Sequence, residues 1–235
     1  SVGWTWNAGT STVSNTDGDV TSQVRVNQTA GISIVGFTPT STNQAIGHGL
    51  NVVPSMVIYK NRAGYHWRVY HASIGTSKSL FLNLNDAAAA DNDRVTAITS
   101  STFTVGSIAA NDDHIAYCFA PREGFSAVGS YIGNQNTDGT FVPLTFKPAF
   151  VMLKHTQTNG YDWAINDAAR NTNNPASNGL FPSSTAAEDS SRHVDLLSNG
   201  FKLRNSSPIY NQSGIVYAYL AFAENPFQTN GGIAR

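Results

Sequence analysis

The sequence predicts an all-β protein built from two homologous antiparallel β-sandwich repeats, jelly-roll-like in their strand pattern. Three observations predict it. Segments recur in fixed order about 93 to 103 residues apart: Gly31-Ile32-Ser33-Ile34-Val35-Gly36 answers to Gly124-Phe125-Ser126-Ala127-Val128-Gly129, and Pro54-Ser55-Met56-Val57-Ile58-Tyr59-Lys60 to Pro148-Ala149-Phe150-Val151-Met152-Leu153-Lys154. Self-similarity at such a period marks a repeated structural unit. Within each copy, apolar residues fall at every second position over short runs, the period of a half-buried strand. Between the runs stand Asp17-Gly18, Ala63-Gly64, Asp138-Gly139, Asn159-Gly160 and Asn199-Gly200, residues that accept positive φ and turn a hairpin.

Residues 1–30 match the start of neither copy. Trp4-Thr5-Trp6-Asn7 overlays Tyr117-Cys118-Phe119-Ala120, so the expected division is 1–30 as the closing strand of an upstream module plus a linker, 31–123 as the first repeat and 124–235 as the second. The first repeat opens on Gly31–Gly36 and continues through Pro54–Lys60. Tyr65-His66-Trp67-Arg68-Val69 follows, matched by Tyr161-Asp162-Trp163-Ala164-Ile165. Alternation there puts Trp67 and Val69 on one face as core plugs, with Trp163 and Ile165 their equivalents, and Arg68 and Tyr70 on the other. Leu80-Phe81 answers to Leu180-Phe181. The alanine stretch Asp86–Ala90, and Ser183–Asp189 in the second copy, are expected to make one short helical turn each. Phe103-Thr104-Val105 answers to Phe201-Lys202-Leu203, where Phe201 and Leu203 oppose Lys202 and Arg204. Phe119-Ala120 answers to Phe222-Ala223. The offsets wander only between strand-like segments, as they do when insertions collect in loops. Cys118 sits in the apolar run Ile115–Ala120 and is expected to be buried as a small hydrophobe.

Composition removes several function classes. The 235 residues carry 15 acidic against 14 basic side chains, a net charge of -1, one cysteine and 12% charged residues, which excludes a disulfide framework, a zinc finger and a polybasic nucleic-acid binder. No stretch approaches the roughly 18 uninterrupted apolar residues of a membrane-spanning helix. Serine, threonine and asparagine make up 69 of the 235 residues, a composition of neutral, hydrogen-bonding surfaces and many turns.

Gly3-Trp4-Thr5-Trp6-Asn7-Ala8-Gly9, Gly47-His48-Gly49-Leu50, Trp67-Arg68-Val69-Tyr70-His71, Asp167-Ala168-Ala169-Arg170-Asn171-Thr172 and Ala221-Phe222-Ala223-Glu224-Asn225-Pro226-Phe227 together resemble a β-rich domain of marine and cyanobacterial tailed phages. That domain is met near the C-terminus of large virion proteins of the tail-fibre type. The resemblance covers nearly the whole chain and implies a structural or receptor-binding role on an extracellular particle, the virion. It also implies assembly with copies of the chain, a trimer for a fibre, and contacts with other virion proteins and a host surface glycan. It carries no catalytic residue across.

Read for chemistry, the residues point away from an enzyme. His66 and His71 are five apart, so on a strand they face opposite ways and share no metal. Gly124-Phe125-Ser126-Ala127-Val128 lacks the second glycine of a nucleophile elbow. The carboxylates fall as loop neighbours, Asp91 with Asp93, Asp112 with Asp113, Glu188 with Asp189, and neighbours do not deliver the facing pair, roughly 5 to 10 Å apart, of a glycosidase. No catalytic residue, metal ligand or cofactor is expected, and neither nucleic acid nor membrane insertion. The expected binding residues are Tyr65 and Tyr161, aromatics beside glycine turns, and Asn134, Asn136 and Asp138 in an amide-rich loop suited to hydrogen-bonding a neutral sugar. The expected function is a phage virion structural protein, a tail-fibre or appendage module that contacts host glycans. The alternatives are a monomeric carbohydrate-binding or head-decoration module and, last, a glycan-cleaving enzyme.

Overall fold

A computed structural model describes residue 3 and residues 5–226; Trp4, on which the upstream-strand overlay rests, and Phe227 lie outside the described residues. Strands dominate, all named strand pairs are antiparallel, and helix amounts to Pro208–Asn211 (α1), four residues long. The protein is all-β, in antiparallel sheets that pair into sandwiches. The chain divides into two compact units, one of Ser1–Phe81 with Ala89–Arg122, the other of Leu82–Ala88 with Glu123–Arg235.

Unit 1 contains β1 (Val13–Asn15), β2 (Ser22–Asn27), β3 (Ile32–Phe37), β4 (Gln44–Gly47), β5 (Met56–Asn61), β6 (Arg68–His71), β7 (Leu80–Phe81), β8 (Val95–Ile98), β9 (Thr102–Val105) and β10 (His114–Phe119). One sheet runs β1-β2-β3-β10-β5-β6-β7 and a smaller one β4-β9-β8. Unit 2 contains β11 (Ser126–Ile132), β12 (Phe141–Pro143), β13 (Pro148–His155), β14 (Ala164–Asp167), β15 (Val194–Leu197), β16 (Gly200–Leu203) and β17 (Val216–Ala223). Its sheets run β11-β17-β13-β14 and β12-β16-β15. With β3, β10, β5 and β6 laid on β11, β17, β13 and β14, the two orders coincide. The registers agree as well: Phe119 pairs Met56 where Phe222 pairs Phe150, and Phe103 pairs Ile46 where Phe201 pairs Val142. The bridge Ile165↔Leu180 stands where Val69 pairs Leu80.

Each unit closes its core between its two sheets. In unit 1, Val35, Val57, Tyr59, Tyr70 and Cys118 of the larger sheet meet Ile46, Val95, Phe103 and Val105 of the smaller. In unit 2, Val151, Leu153, Tyr217 and Tyr219 meet Val142, Val194, Phe201 and Leu203. Phe103 packs edge-on to Phe37 at 5.8 Å, and Phe201 edge-on to Tyr131 at 6.0 Å and to Tyr219 at 5.5 Å. Edge-to-face rings gain from their quadrupoles beyond the area they bury. Cys118 is buried as expected, and burial pushes its thiol well above the ordinary range.

Of the expected turn glycines, Gly160 and Gly200 take positive φ between paired strands, Gly18, Gly64 and Gly139 do not, and Asp138-Gly139 joins β11 to β12, which lie in different sheets. Asn199-Gly200 closes the β15–β16 hairpin, and Gly200 holds φ +149°, with a Cβ there coming 2.1 Å from the Val142 carbonyl oxygen. Only glycine fits.

Three expectations give way. Asp86–Ala90 and Ser183–Asp189 form no helix; Ala89 bridges Ser79 and Asp189 bridges Gly179 in extended backbone. Alanine propensity over five residues does not meet the cost of nucleating a helix, while a bridge satisfies the same backbone groups. The one helical turn starts at Pro208, whose fixed φ suits a first helical position. Val69, Trp163 and Ile165 are buried as expected of core plugs and Trp67 is half-buried, but the inner face of β6 is reversed: Tyr70 lies in the sandwich core, and these residues are outside the core clusters of their units. Both faces of β5 and β13 are apolar runs, so alternation alone does not say which face is inner. Residues 8–30, expected as linker, contain β1 and β2, with β2 paired to β3 and Val24 in the core. Residues 5–9 form no strand; Arg25 and Asn27 of β2 hold them, donating to the carbonyls of Gly9 and Asn7.

Candidate functional site

The β5–β6 connection of unit 1 builds the most developed site. Asn61, the last residue of β5, accepts the Ala63 amide on its side chain at 2.8 Å and the Gly64 amide on its carbonyl at 3.3 Å, which closes the turn. Lys60 Nζ donates to the carbonyls of Gly64 at 3.0 Å and Tyr65 at 2.8 Å while lying over the Trp67 ring. The chain is thereby held so that Tyr65 takes φ +66° and leaves 69% of its surface to solvent. A left-handed tyrosine is strained, and retained strain of this kind gathers at functional loops.

Beneath Tyr65 lies a cavity of about 130 Å³, lined by Tyr59, Asn61, Arg68, Asp93, His114 and the segment Ser107–Ala109. Its polar groups are mostly fixed by one another. Arg68 donates through Nε to Asp91 at 2.7 Å and through Nη2 to Asp93 at 2.5 Å. Tyr59 donates its hydroxyl to the Asp93 carbonyl, and Asn61 Nδ2 donates to Asp112 at 2.7 Å. Burial pushes the Asp93 carboxyl upward against the pull of Arg68, and pushes the Tyr59 hydroxyl far above its usual range. His114 stacks on Phe37 at 5.3 Å and its Nδ1 lies 2.8 Å from the Asp112 carbonyl, which makes Nδ1 the protonated nitrogen. Burial lowers its pKa, so the ring is neutral at pH 7 with Nε2 bare. On its far side His114 lines a second cavity of about 300 Å³ with Thr21, Gln23, Thr38, Arg62 and Asp113.

Unit 2 repeats the frame and fills it differently. Lys154 again donates to the carbonyl of the loop tyrosine, Tyr161. At the position of Asn61 stands His155, fully buried, with the Tyr161 ring stacked on it at 4.4 Å and Tyr217 edge-on at 5.3 Å. His155 accepts the amides of Gln157 and Thr158 on Nδ1 and meets Gln212 through Nε2, so it too is neutral, its pKa lowered by burial. Leu82–Ala88 lies across the same loop: Ala87 donates to the Asn159 side chain, Ala88 to the Thr156 carbonyl, and Gly160 to the Asn85 carbonyl.

The amide-rich loop is committed to its own shape. Asn134 accepts the Asn136 amide and Asn136 accepts the Asp138 amide, two successive Asx turns. Asn211, buried at the end of α1, accepts the Asn134 amide and shares its Nδ2 hydrogens among Asn134 Oδ1 and the carbonyls of Asn136 and Asn205. Asp138 pairs with Lys202 at 2.9 Å and Arg204 at 2.8 Å; the Lys202 hydrogen bond, then its charge, holds this carboxyl below the ordinary range. Of the five residues singled out in the sequence, Tyr65 alone is an exposed ring over a cavity. Arg68, Ser107 and His114 carry no signal in the sequence, and Asp93 stands out there only as a loop neighbour of Asp91. The carboxylate partners of Arg68 lie 23 and 25 positions along the chain, and nothing at sequence level ties Asp91 and Asp93 to it.

The remaining loop carboxylates are also engaged. Asp113 accepts from Thr38, Glu188 from Arg170, and Asp189 from Ser191 and Arg192. Among the described residues, no three of His, Cys, Asp and Glu come together as metal ligands, and no helix is long and apolar enough to cross a membrane.

Fold and site together define a two-unit antiparallel β-sandwich protein with an open, polar pocket capped by an exposed aromatic. The chain belongs to the family described as Domain of unknown function (DUF7483), whose sequence model matches residues 1–226. Neither the curated proteins nor the solved structures gave a match. The family match spans almost the stretch over which the sequence resembles the phage domain, and it makes no link to tail fibres.

Proposed function

We propose that this protein is a non-catalytic attachment module on the outside of a phage virion, part of a tail fibre or appendage, which assembles with itself and with other virion proteins and contacts host surface glycans. The observation that carries the reading is Tyr65, an aromatic ring left to solvent by a loop held in a strained conformation above a polar cavity. Aromatic faces offer sugars an apolar platform, and the hydrogen-bonding groups around them give orientation. The low charge and the abundance of Ser, Thr and Asn suit a surface that binds through many weak contacts, where multivalency supplies avidity. A non-catalytic role is supported by the carboxylates nearest the cavity, which are held by Arg68, Asn61 and Thr38.

A glycan array probed with the wild-type chain and with Tyr65→Ala tests this. The wild type is expected to be retained on a subset of glycans and Tyr65→Ala to lose that retention. Equal retention of both, or none by the wild type, would refute the reading.

A further inference from the structure

The two copies differ at one place in a way that bears on ligand number and chemistry. The lysine hook is common to both, Lys60 to Tyr65 and Lys154 to Tyr161. In unit 1 the residue after the lysine is Asn61, short enough to leave the space beneath the loop open. In unit 2 it is His155, whose ring takes the tyrosine face at 4.4 Å and is itself fully buried. The aromatic platform of unit 2 is thus spent on an internal partner, and Leu82–Ala88 ties down its loop. The platform of unit 1 is not.

The volume and charge of the open cavity restrict what enters. About 130 Å³ is a little below the roughly 150 Å³ that admits a single benzene, so it takes one edge of a single sugar ring with its hydroxyls, the rest of the ring lying outside against Tyr65. The only fully charged cation of the lining, Arg68, is met by two carboxylates, Asp91 and Asp93, so the cluster sums to one negative charge and offers nothing to an anionic sugar. What remains is suited to hydroxyl groups: the Ser107 hydroxyl, the bare Nε2 of His114 and the second oxygen of Asp93.

Building on the attachment reading, the geometry points to one saccharide site per chain, in unit 1, that takes a single neutral pyranose unit against Tyr65 and above Ser107, Asp93 and His114, the equivalent place in unit 2 being closed by the His155–Tyr161 stack.

Isothermal titration of the whole chain with neutral hexasaccharides of glucose, mannose and galactose, and with sialyllactose and a galacturonate hexamer as anionic counterparts, tests it. The expected result is one neutral glycan per chain. Tyr65→Ala and Ser107→Ala each weaken binding by about tenfold or more, Tyr161→Ala leaves it unchanged, and the anionic sugars bind at least about tenfold more weakly, roughly the loss of one stacking or hydrogen-bonding contact. Two glycans per chain, or preference for the anionic sugars, would overturn this inference and leave the attachment reading standing, whereas loss of binding on Tyr161→Ala but not on Tyr65→Ala would overturn both. Absence of binding to every sugar would overturn both.

Discussion

Tyr65 is the residue on which structure and chemistry pull against each other. A non-glycine residue in the left-handed region costs on the order of 1 kcal/mol, and its ring, mostly exposed, recovers little of that by packing. Tyr65→Gly is therefore expected to raise stability by about 0.5–1 kcal/mol in urea unfolding while removing the aromatic platform. A destabilised Tyr65→Gly would mean that the ring packs on the fold rather than serving a ligand. The sequence makes Tyr65 visible because it stands beside Gly64 at a hairpin turn. It does not make visible the difference between Tyr65 and Tyr161, since that difference is a ring stack six positions upstream, at His155, and spacing along a chain does not reveal which rings meet. Asn134 and Asn136 illustrate the converse. Their amide composition suits a sugar, but the short reach of asparagine side chains to backbone two residues on makes them turn-formers first.

At the scale of elements, the repeated strands are legible because each partner stands at nearly the same spacing in both copies, so β3, β5, β9 and β10 announce β11, β13, β16 and β17. Two things are lost at this level. The inner face of β6 is hidden because both faces of its sheet are apolar, and β1 and β2 are hidden because they have no counterpart among the described residues of unit 2.

The hairpin β13–β14 carries a further consequence. Lys154 is buried with no carboxylate in hydrogen-bond contact, and burial lowers its pKa to about 8, partly offset by Asp162 and Asp86. An unfolded lysine keeps its proton to near pH 10.5, so between pH 8 and that value the unfolded state holds more protons and stability rises with pH, by up to about 1.4 kcal/mol per pH unit. Above pH 10 the sign reverses. Burial raises the pKa of Tyr131, Tyr210 and Tyr217, so the unfolded tyrosines ionise first and pull the equilibrium toward unfolding. Cys118 opposes this, because burial raises its thiol and the unfolded thiol ionises first above about pH 9. The expected signature is therefore relative: between pH 8 and pH 9.5 in urea unfolding the stability of the wild type rises against that of Lys154→Met, and an unchanged difference between the two would show that Lys154 is not responsible.

For the molecule as a whole, two near-copies of one sandwich have come to differ in what their loops do, the first keeping an open pocket and the second closing the equivalent place with its own side chains. Such divergence leaves one site per chain, and a single weak site on a neutral surface gains useful avidity only when several chains are held together. Light scattering over a range of concentrations is expected to give the mass of a trimer, three chains of 25.1 kDa. A mass of one chain at every concentration would remove the fibre assembly from the account and favour a monomeric carbohydrate-binding or decoration module.

The claim that this protein attaches to glycans without cleaving them is tested most directly by passing the wild-type chain over an immobilised neutral polysaccharide of the host envelope, eluting it, and sizing the polysaccharide afterwards. Saturable, reversible retention with the polysaccharide recovered at full length is the predicted result. Shortened polysaccharide, or a chain that passes through unretained, would contradict it.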